Sequence, residues 1–265
     1  MPDTSDTTHS ESNLTNQGDM MTAQHVTDIP TGIAYQVPDA LPERIRSVGG
    51  VDWPADPARS VLLVHDMQDH FVDKYQRDAE PMSSVIRGIQ KLVATARAAG
   101  VPVVFSAQPG DQDPVERALL TEFWGTGPRT SATGLIPELG EAGEIADSER
   151  MCKWRYSAFQ RTDLHQRLAE SDRDTLVITG VYANIGIKAT ALEAFMTDIR
   201  SVVVADAVAD FTVDEHWAGV EWVARRCGAV AGLDEVLDRW GRAEVGDSAA
   251  DVSRETIGMP QSLRQ

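Results

Sequence analysis

Asp66, Gln108, Lys153 and the turn from Tyr182 to Gly186 each stand at the end of an apolar run, and their side chains and amides can move protons or hold a ligand. Arg117 follows Gln108 closely enough to join them. An aspartate in such a place often only caps a helix or shapes a turn. Convergence with a lysine and a glutamine from other run ends weighs against that reading. A lysine buried beside an aspartate is costly unless the two pair, and a paired acid and base in a cleft are candidates for proton transfer. The stretch Thr175 to Phe195, TLVITGVYANIGIKATALEAF, has the form of a strand, a turn of small residues and a helix presenting its backbone amides. In many hydrolases a turn of this form carries a Ser or Cys nucleophile. Here its tip offers Tyr182, Asn184 and Gly186, with neither thiol nor aliphatic hydroxyl, which raises the question of what chemistry such a site does without a nucleophile of its own.

Parallel strands are what would bring these residues together. Strands are expected at Arg59 to His65, Val101 to Ala107, Glu149 to Lys153, Thr175 to Thr179, Ser201 to Val204 and Gly228 to Val230. Between and after them, helical patterns run over Ser83 to Ala99, Pro114 to Phe123, Thr162 to Ala169, the segment after Thr179, Val213 to Arg226 and Leu233 to Trp240. Strands that are apolar throughout are buried on both faces, which is the habit of parallel sheets. The alternation predicts an α/β fold: three-layer, doubly wound, with a mainly parallel six-stranded sheet and helices on both faces. Such sheets bind ligands outside the carboxyl ends of their strands, where the candidate residues stand.

The rest of the chain limits the partners. Of 265 residues, 24 are basic and 41 acidic, a net charge of -17 that argues against nucleic acid or an anionic membrane as partner. An anionic ligand must therefore be held by locally placed Arg and Lys. Two cysteines, Cys152 and Cys227, are too few for a disulfide framework and fit a reducing compartment as small hydrophobes. With neither a signal peptide nor a membrane span in evidence, a cytoplasmic protein is expected. Residues 1–28 read as a disordered acidic tail, 29–57 as an irregular arm laid across the domain or onto a second subunit, 58–241 as the domain itself and 242–265 as a flexible tail. His65 and His70 flank Asp66, but no third ligand accompanies them, so no metal is expected and supporting roles suit both.

Six blocks carry a resemblance: VLLVHDMQDHF (Val61 to Phe71), FSAQPG (Phe105 to Gly110), EFWG (Glu122 to Gly125), KWRYSAF (Lys153 to Phe159), GVYANIG (Gly180 to Gly186) and VADAVADF (Val204 to Phe211). In this order the chain resembles the isochorismatase family over about Pro30 to Trp240. The likeness is greatest to the isochorismatases of aryl siderophore synthesis and to the phenazine-pathway hydrolase of the 2-amino analogue. The wider superfamily, nicotinamidases included, uses an Asp, Lys and Cys triad. By resemblance Asp66 and Lys153 fill the first two positions, and the third falls on Gly186.

That substitution implies hydrolysis of an enolpyruvyl ether, which needs a positioned acid and no nucleophile. The resemblance implies Asp66 as the acid, its pKa raised by seclusion, with Lys153 orienting it and binding substrate polar groups. It implies Gln108, Arg117 and the amides of the turn as contacts for a small dicarboxylate, and Gly186 as room for the enolpyruvyl group. Phe71, Trp124 and Tyr182 would wall the ring, with Arg155 and Tyr156 holding the loop. Asp206 and Asp210 are expected to shape a turn, and Asn184 stands where siderophore isochorismatases commonly have His. No cofactor is implied, and the family suggests a homodimer. Gly246-Asp247-Ser248 faintly resembles a phosphopantetheine site, but a free-standing enzyme is expected. A cysteine amidase and an inactive assembly partner are the readings from other classes.

Overall fold

A computed structural model of the chain describes residues 28–37, 47, 49–140 and 144–244. The expected tail 1–28, apart from Asp28, lies outside the described residues, as do 245–265 and Ser248 with them. Six strands form one sheet: β1 (Ser60–His65), β2 (Val103–Ala107), β3 (Arg150–Cys152), β4 (Thr175–Val181), β5 (Arg200–Ala209) and β6 (Ala229–Ala231). Their order is β3-β2-β1-β4-β5-β6 and every pairing is parallel. The helices are α1 (Asp69–Val72), α2 (Met82–Ala98), α3 (Pro114–Arg117), α4 (Leu119–Trp124), α5 (Leu164–Glu170), α6 (Lys188–Met196), α7 (Val213–Arg226) and α8 (Leu233–Glu244).

The three layers follow from the alternation along β1, whose six residues are all buried. Leu62 and Val64 face one side, in a cluster with Ile89 of α2 and Val236 and Trp240 of α8. Val61 and Leu63 face the other, with Leu168 of α5, Ala191 of α6 and Val220 of α7. Burying such side chains on both faces stabilises the sheet by about 1.5–3 kcal/mol each. Helix α7 starts where the Thr212 side chain accepts from Glu215 N at 3.1 Å, with acids in its first turn and Arg225 and Arg226 in its last, the polarity its dipole favours.

The elements differ from the sequence reading in two instructive places. Strand β5 runs ten residues, well past Val204, because Asp206 does not end it: its carboxylate accepts from Leu233 N at 2.7 Å. A polar residue with a buried partner is tolerated inside a strand. The stretch expected as one helix from Pro114 to Phe123 is broken at Ala118, which takes φ 52°. Where described, the segment 28–37 crosses the domain, with Ile33 bridged to Tyr75 and Tyr35 N donating to Glu80 O at 2.8 Å. Trp240 Nε1, buried in the core, donates to Ala55 O at 3.0 Å. Among the described residues no helix is long and apolar enough to cross a membrane.

Candidate active site

The chain leaves β1 towards β2 on one side and leaves β4 towards β5 on the other, so β1 and β4 flank the point where the strand order reverses. Asp66 follows β1 and Tyr182 follows β4. Beyond those strand ends lies a cavity whose wall includes Asp66, Gln108, Lys153 and Arg117. Phe71, Trp124, Tyr182 and Gly186 line it too, so all eight residues singled out in the sequence meet in one place.

Asp66 and Lys153 form its charged centre. Lys153 Nζ lies 2.9 Å from Asp66 Oδ2, and Ser106 Oγ donates to Oδ1 at 2.8 Å. The other two Lys153 donors point to Arg155 O at 2.6 Å and Tyr156 O at 3.4 Å. With three N–H groups engaged, this ammonium has no donor left for a ligand. In the free site Lys153 thus orients Asp66 by charge and hydrogen bond. The direction of the Asp66 pKa also needs correcting. Burial works to raise it, but the Lys153 charge and the bonds from Lys153 and Ser106 outweigh burial, and the carboxyl sits below its usual range. In the resting site the pair is carboxylate and ammonium.

Space at Gly186 is the next correction. A Cβ built there would collide with the His65 ring, coming within 2.9 Å of Nε2 and 3.1 Å of Tyr156 O. The slot in front of Gly186 holds the imidazole of His65, leaving less room for a ligand group than its missing side chain suggests. That ring is 1% exposed, with Nδ1 2.7 Å from Val181 O and Nε2 3.3 Å from Tyr156 O. Burial holds its pKa down, so it is a neutral wedge beside Asp66 Oδ2, 3.7 Å away.

The turn after β4 is one wide π-helical turn, Ala183–Ile187, leading into α6. Asn184 N donates to Asp210 Oδ2 at 2.6 Å, and the Asn184 side chain accepts from Lys188 Nζ at 3.0 Å, so Asn184 serves the turn and is absent from the cavity wall. Burial raises the Asp210 pKa to about 6 despite amides donated by Asn184 and Phe211. Tyr182 donates to Phe71 O at 3.3 Å and packs with Phe71, Tyr75 and Phe211 into an aromatic side of the cavity.

Arg117 is 3% exposed. Its Nε donates to Gly125 O at 2.7 Å, while its buried NH1 has no partner and no carboxylate pairs with it among the described residues. Burial presses its pKa downward. Gln108 is held by its backbone, which exchanges two bonds with the Gln68 amide at 2.7 and 2.9 Å, leaving its own amide without a partner among the described residues. Trp124 donates to the Tyr156 hydroxyl at 2.6 Å, so Tyr156 belongs to the wall as well as the loop.

Sequence reasoning missed Ser106, Gln68, Phe211 and the arm residue Ile29; the last two line the cavity, as does His70, for which a supporting role was expected. A serine inside the apolar run VVFSA, in register with His65, was the available signal for Ser106. Cys152 is exposed, unlike the small hydrophobe expected, and Cys227 is buried; both are free, and neither lines the cavity. Among the described residues no group of three or more side chains could hold a metal ion.

Comparison with known proteins agrees with this geometry. The family model described as the Isochorismatase domain matches residues 60–235. The chain is 40% identical over 243 residues to the isochorismatase of Bacillus subtilis (strain 168), covering 89% of this chain and 75% of that one. It is 42% identical over 211 residues to enterobactin synthase component B of Escherichia coli (strain K12), covering 79% and 72%. It is 40% identical over 214 residues to the phenazine biosynthesis protein PhzD of Pseudomonas fluorescens, covering 78% and 99%. Among solved structures, a cysteine hydrolase from Pseudomonas syringae pv. phaseolicola 1448A shares the fold with a TM-score of 0.63 at 23% identity, over 73% of this chain and 98% of that one. A six-stranded parallel sheet with an Asp66–Lys153 pair at its reversal point, matched over most of its length by these relatives, places the chain in the isochorismatase family.

Proposed function

We propose that this hydrolase cleaves the enolpyruvyl ether of isochorismate, giving pyruvate and 2,3-dihydro-2,3-dihydroxybenzoate. The observation that carries the reading is Arg117, a buried guanidinium without a carboxylate partner in the same wall as the Asp66–Lys153 pair. A buried cation left unpaired is costly, and an anionic ligand relieves that cost. Substrate carboxylates meet Arg117 and the free amide of Gln108, and the aromatic side formed by Phe71, Tyr182 and Trp124 receives the ring. Gly186, backed by His65, offers no nucleophile, which disfavours amide hydrolysis.

Protonation of the terminal methylene carbon forms an oxocarbenium ion. Water adds to it and returns a proton to the enzyme, and the hemiketal collapses to pyruvate and the ring alcohol. A bound dianion makes the Asp66 carboxylate more basic, so Asp66 takes up a proton from solvent as substrate binds and delivers it to carbon, with Lys153 holding it in place. Ser106 holds the carboxyl in line.

Residues 58–241 form the catalytic domain, with the arm before them contributing Ile29 to the wall. A homodimer is supported by Leu192, Phe195 and Met196, exposed apolar side chains on α6 that a second copy would cover. The two free cysteines support a cytoplasmic setting. The relatives' names place them in enterobactin and phenazine synthesis, which supports a role for the product in an aryl natural product. The test is pyruvate release from isochorismate and from its 2-amino analogue: release from the first at the higher kcat/KM is expected, and release from neither rules the reaction out. Asp66→Ala should abolish turnover with the fold intact, and retained activity would remove Asp66 from its role.

A further inference from the structure

Two histidines flank Asp66, and their rings are differently engaged. His65 is wedged between Val181 O and Tyr156 O, so that both its ring nitrogens face backbone carbonyls. His70, in α1, lines the cavity, half-buried, and neither of its ring nitrogens has a hydrogen-bond partner among the described residues. Its ring meets Phe71 edge-on at 4.8 Å, which fixes its plane against the aromatic side. Burial, then Lys74 and Arg117, push its pKa down to about 4, so near neutral pH it carries one N–H and one lone pair.

An inventory of the cavity shows what such a group adds. Arg117 only donates. Lys153 and the Tyr182 hydroxyl are already donating, and both Asp66 oxygens are already accepting. The Tyr156 hydroxyl accepts from Trp124. A hydroxyl or amine on the substrate ring needs an acceptor, and the side chains in this wall that make no hydrogen bond at all among the described residues yet can accept one are the Gln108 amide and the His70 imidazole. In isochorismate that ring substituent sits on the carbon between those bearing the carboxylate and the ether. Its reader must stand close to both the carboxylate's cation and the proton donor. His70 is four residues from Asp66 and within electrostatic reach of Arg117.

We propose that His70 is a further substrate-contacting residue, whose neutral imidazole accepts a hydrogen bond from the hydroxyl or amine on the ring carbon beside the ether. The proposal rests on the enol-ether reading of the site, and its ligand chemistry is an uncharged or cationic ring substituent next to a carboxylate. A site built to bond such a group rejects an analogue lacking it far more strongly than a merely apolar pocket does.

The experiment compares the wild-type enzyme with His70→Phe and His70→Asn on isochorismate, on the 2-amino analogue and on an analogue with hydrogen at that ring carbon. His70→Phe should lower kcat/KM for the two substituted substrates about tenfold or more, mostly through KM. His70→Asn should recover part of the loss, and the hydrogen analogue should be turned over equally by all three enzymes. An equal loss on all three substrates, or none on the substituted pair, overturns the proposal while leaving the reaction standing. A wild-type enzyme that releases pyruvate from none of them overturns the reaction and the proposal with it.

Discussion

Arg117 is a residue whose function and stability oppose each other. Its NH1 is buried without a partner, so the free protein bears a desolvation cost that substrate relieves. Arg117→Met keeps the apolar stem and removes the charge. It should lower kcat/KM by about 30-fold or more, the worth of a charge-assisted bond to a carboxylate, and should raise the thermal midpoint. Steady-state kinetics beside a melting curve checks both, and a fall in both quantities would make Arg117 structural. The types and placement of the main players were legible in the sequence, since Asp66, Gln108, Lys153 and the turn at Tyr182 each end a strand. The direction of the Asp66 pKa was not, because it depends on Lys153 Nζ at 2.9 Å and Ser106 Oγ at 2.8 Å, distances that no spacing contains. Nor was the difference between the two histidines, since only the fold shows His65 wedged between carbonyls and the His70 ring lining the cavity.

At the scale of elements, the end of β4 is where backbone geometry is most constrained. Gly180 takes φ 103°, and a Cβ there would collide with the carbonyl oxygen of His65 on the neighbouring strand. Gly180→Ala should destabilise the fold by about 2–4 kcal/mol, by backbone strain plus forced separation of β1 from β4. Chemical denaturation measures it, and an unchanged midpoint would show that the two strands can part without cost. Strand and helix identities followed from apolar runs and periodicity, β1 and α7 almost residue for residue. The extent of β5 and the break at Ala118 escaped because both depend on tertiary partners: Leu233 N for Asp206, and the Gly125 carbonyl that holds the Arg117 side chain just before the break.

The whole molecule sets the conditions under which the site works. A dianion approaching a protein of net charge -17 is repelled at long range and attracted only near Arg117. Added salt should therefore raise kcat/KM for a dicarboxylate substrate by a few-fold between about 10 and 150 mM, and a decrease would mean that local cations dominate the approach. Stability carries a second signature, through Asp210, whose folded pKa of about 6 lies above its unfolded value near 3.9. A raised folded value stabilises fully below the unfolded pKa and is lost as pH rises through the folded one. From about pH 4 to 6 this group should remove up to about 3 kcal/mol, and Asp210→Asn should flatten that part of the stability profile. Asp66, whose folded pKa is lowered, has the opposite sign: its contribution is present above pH 4 and disappears only in stronger acid. Melting curves across pH for the two proteins separate the contributions.

The wedge of His65 against Gly186 also bears on how such a site can change over generations. A thiol introduced at 186 meets an imidazole already seated there, and a smaller residue at 65 leaves a void and an unpaired Val181 carbonyl. Each single step damages the protein before the pair of changes can give anything new. A thiol-dependent site at this place in the fold therefore requires positions 65 and 186 to change together.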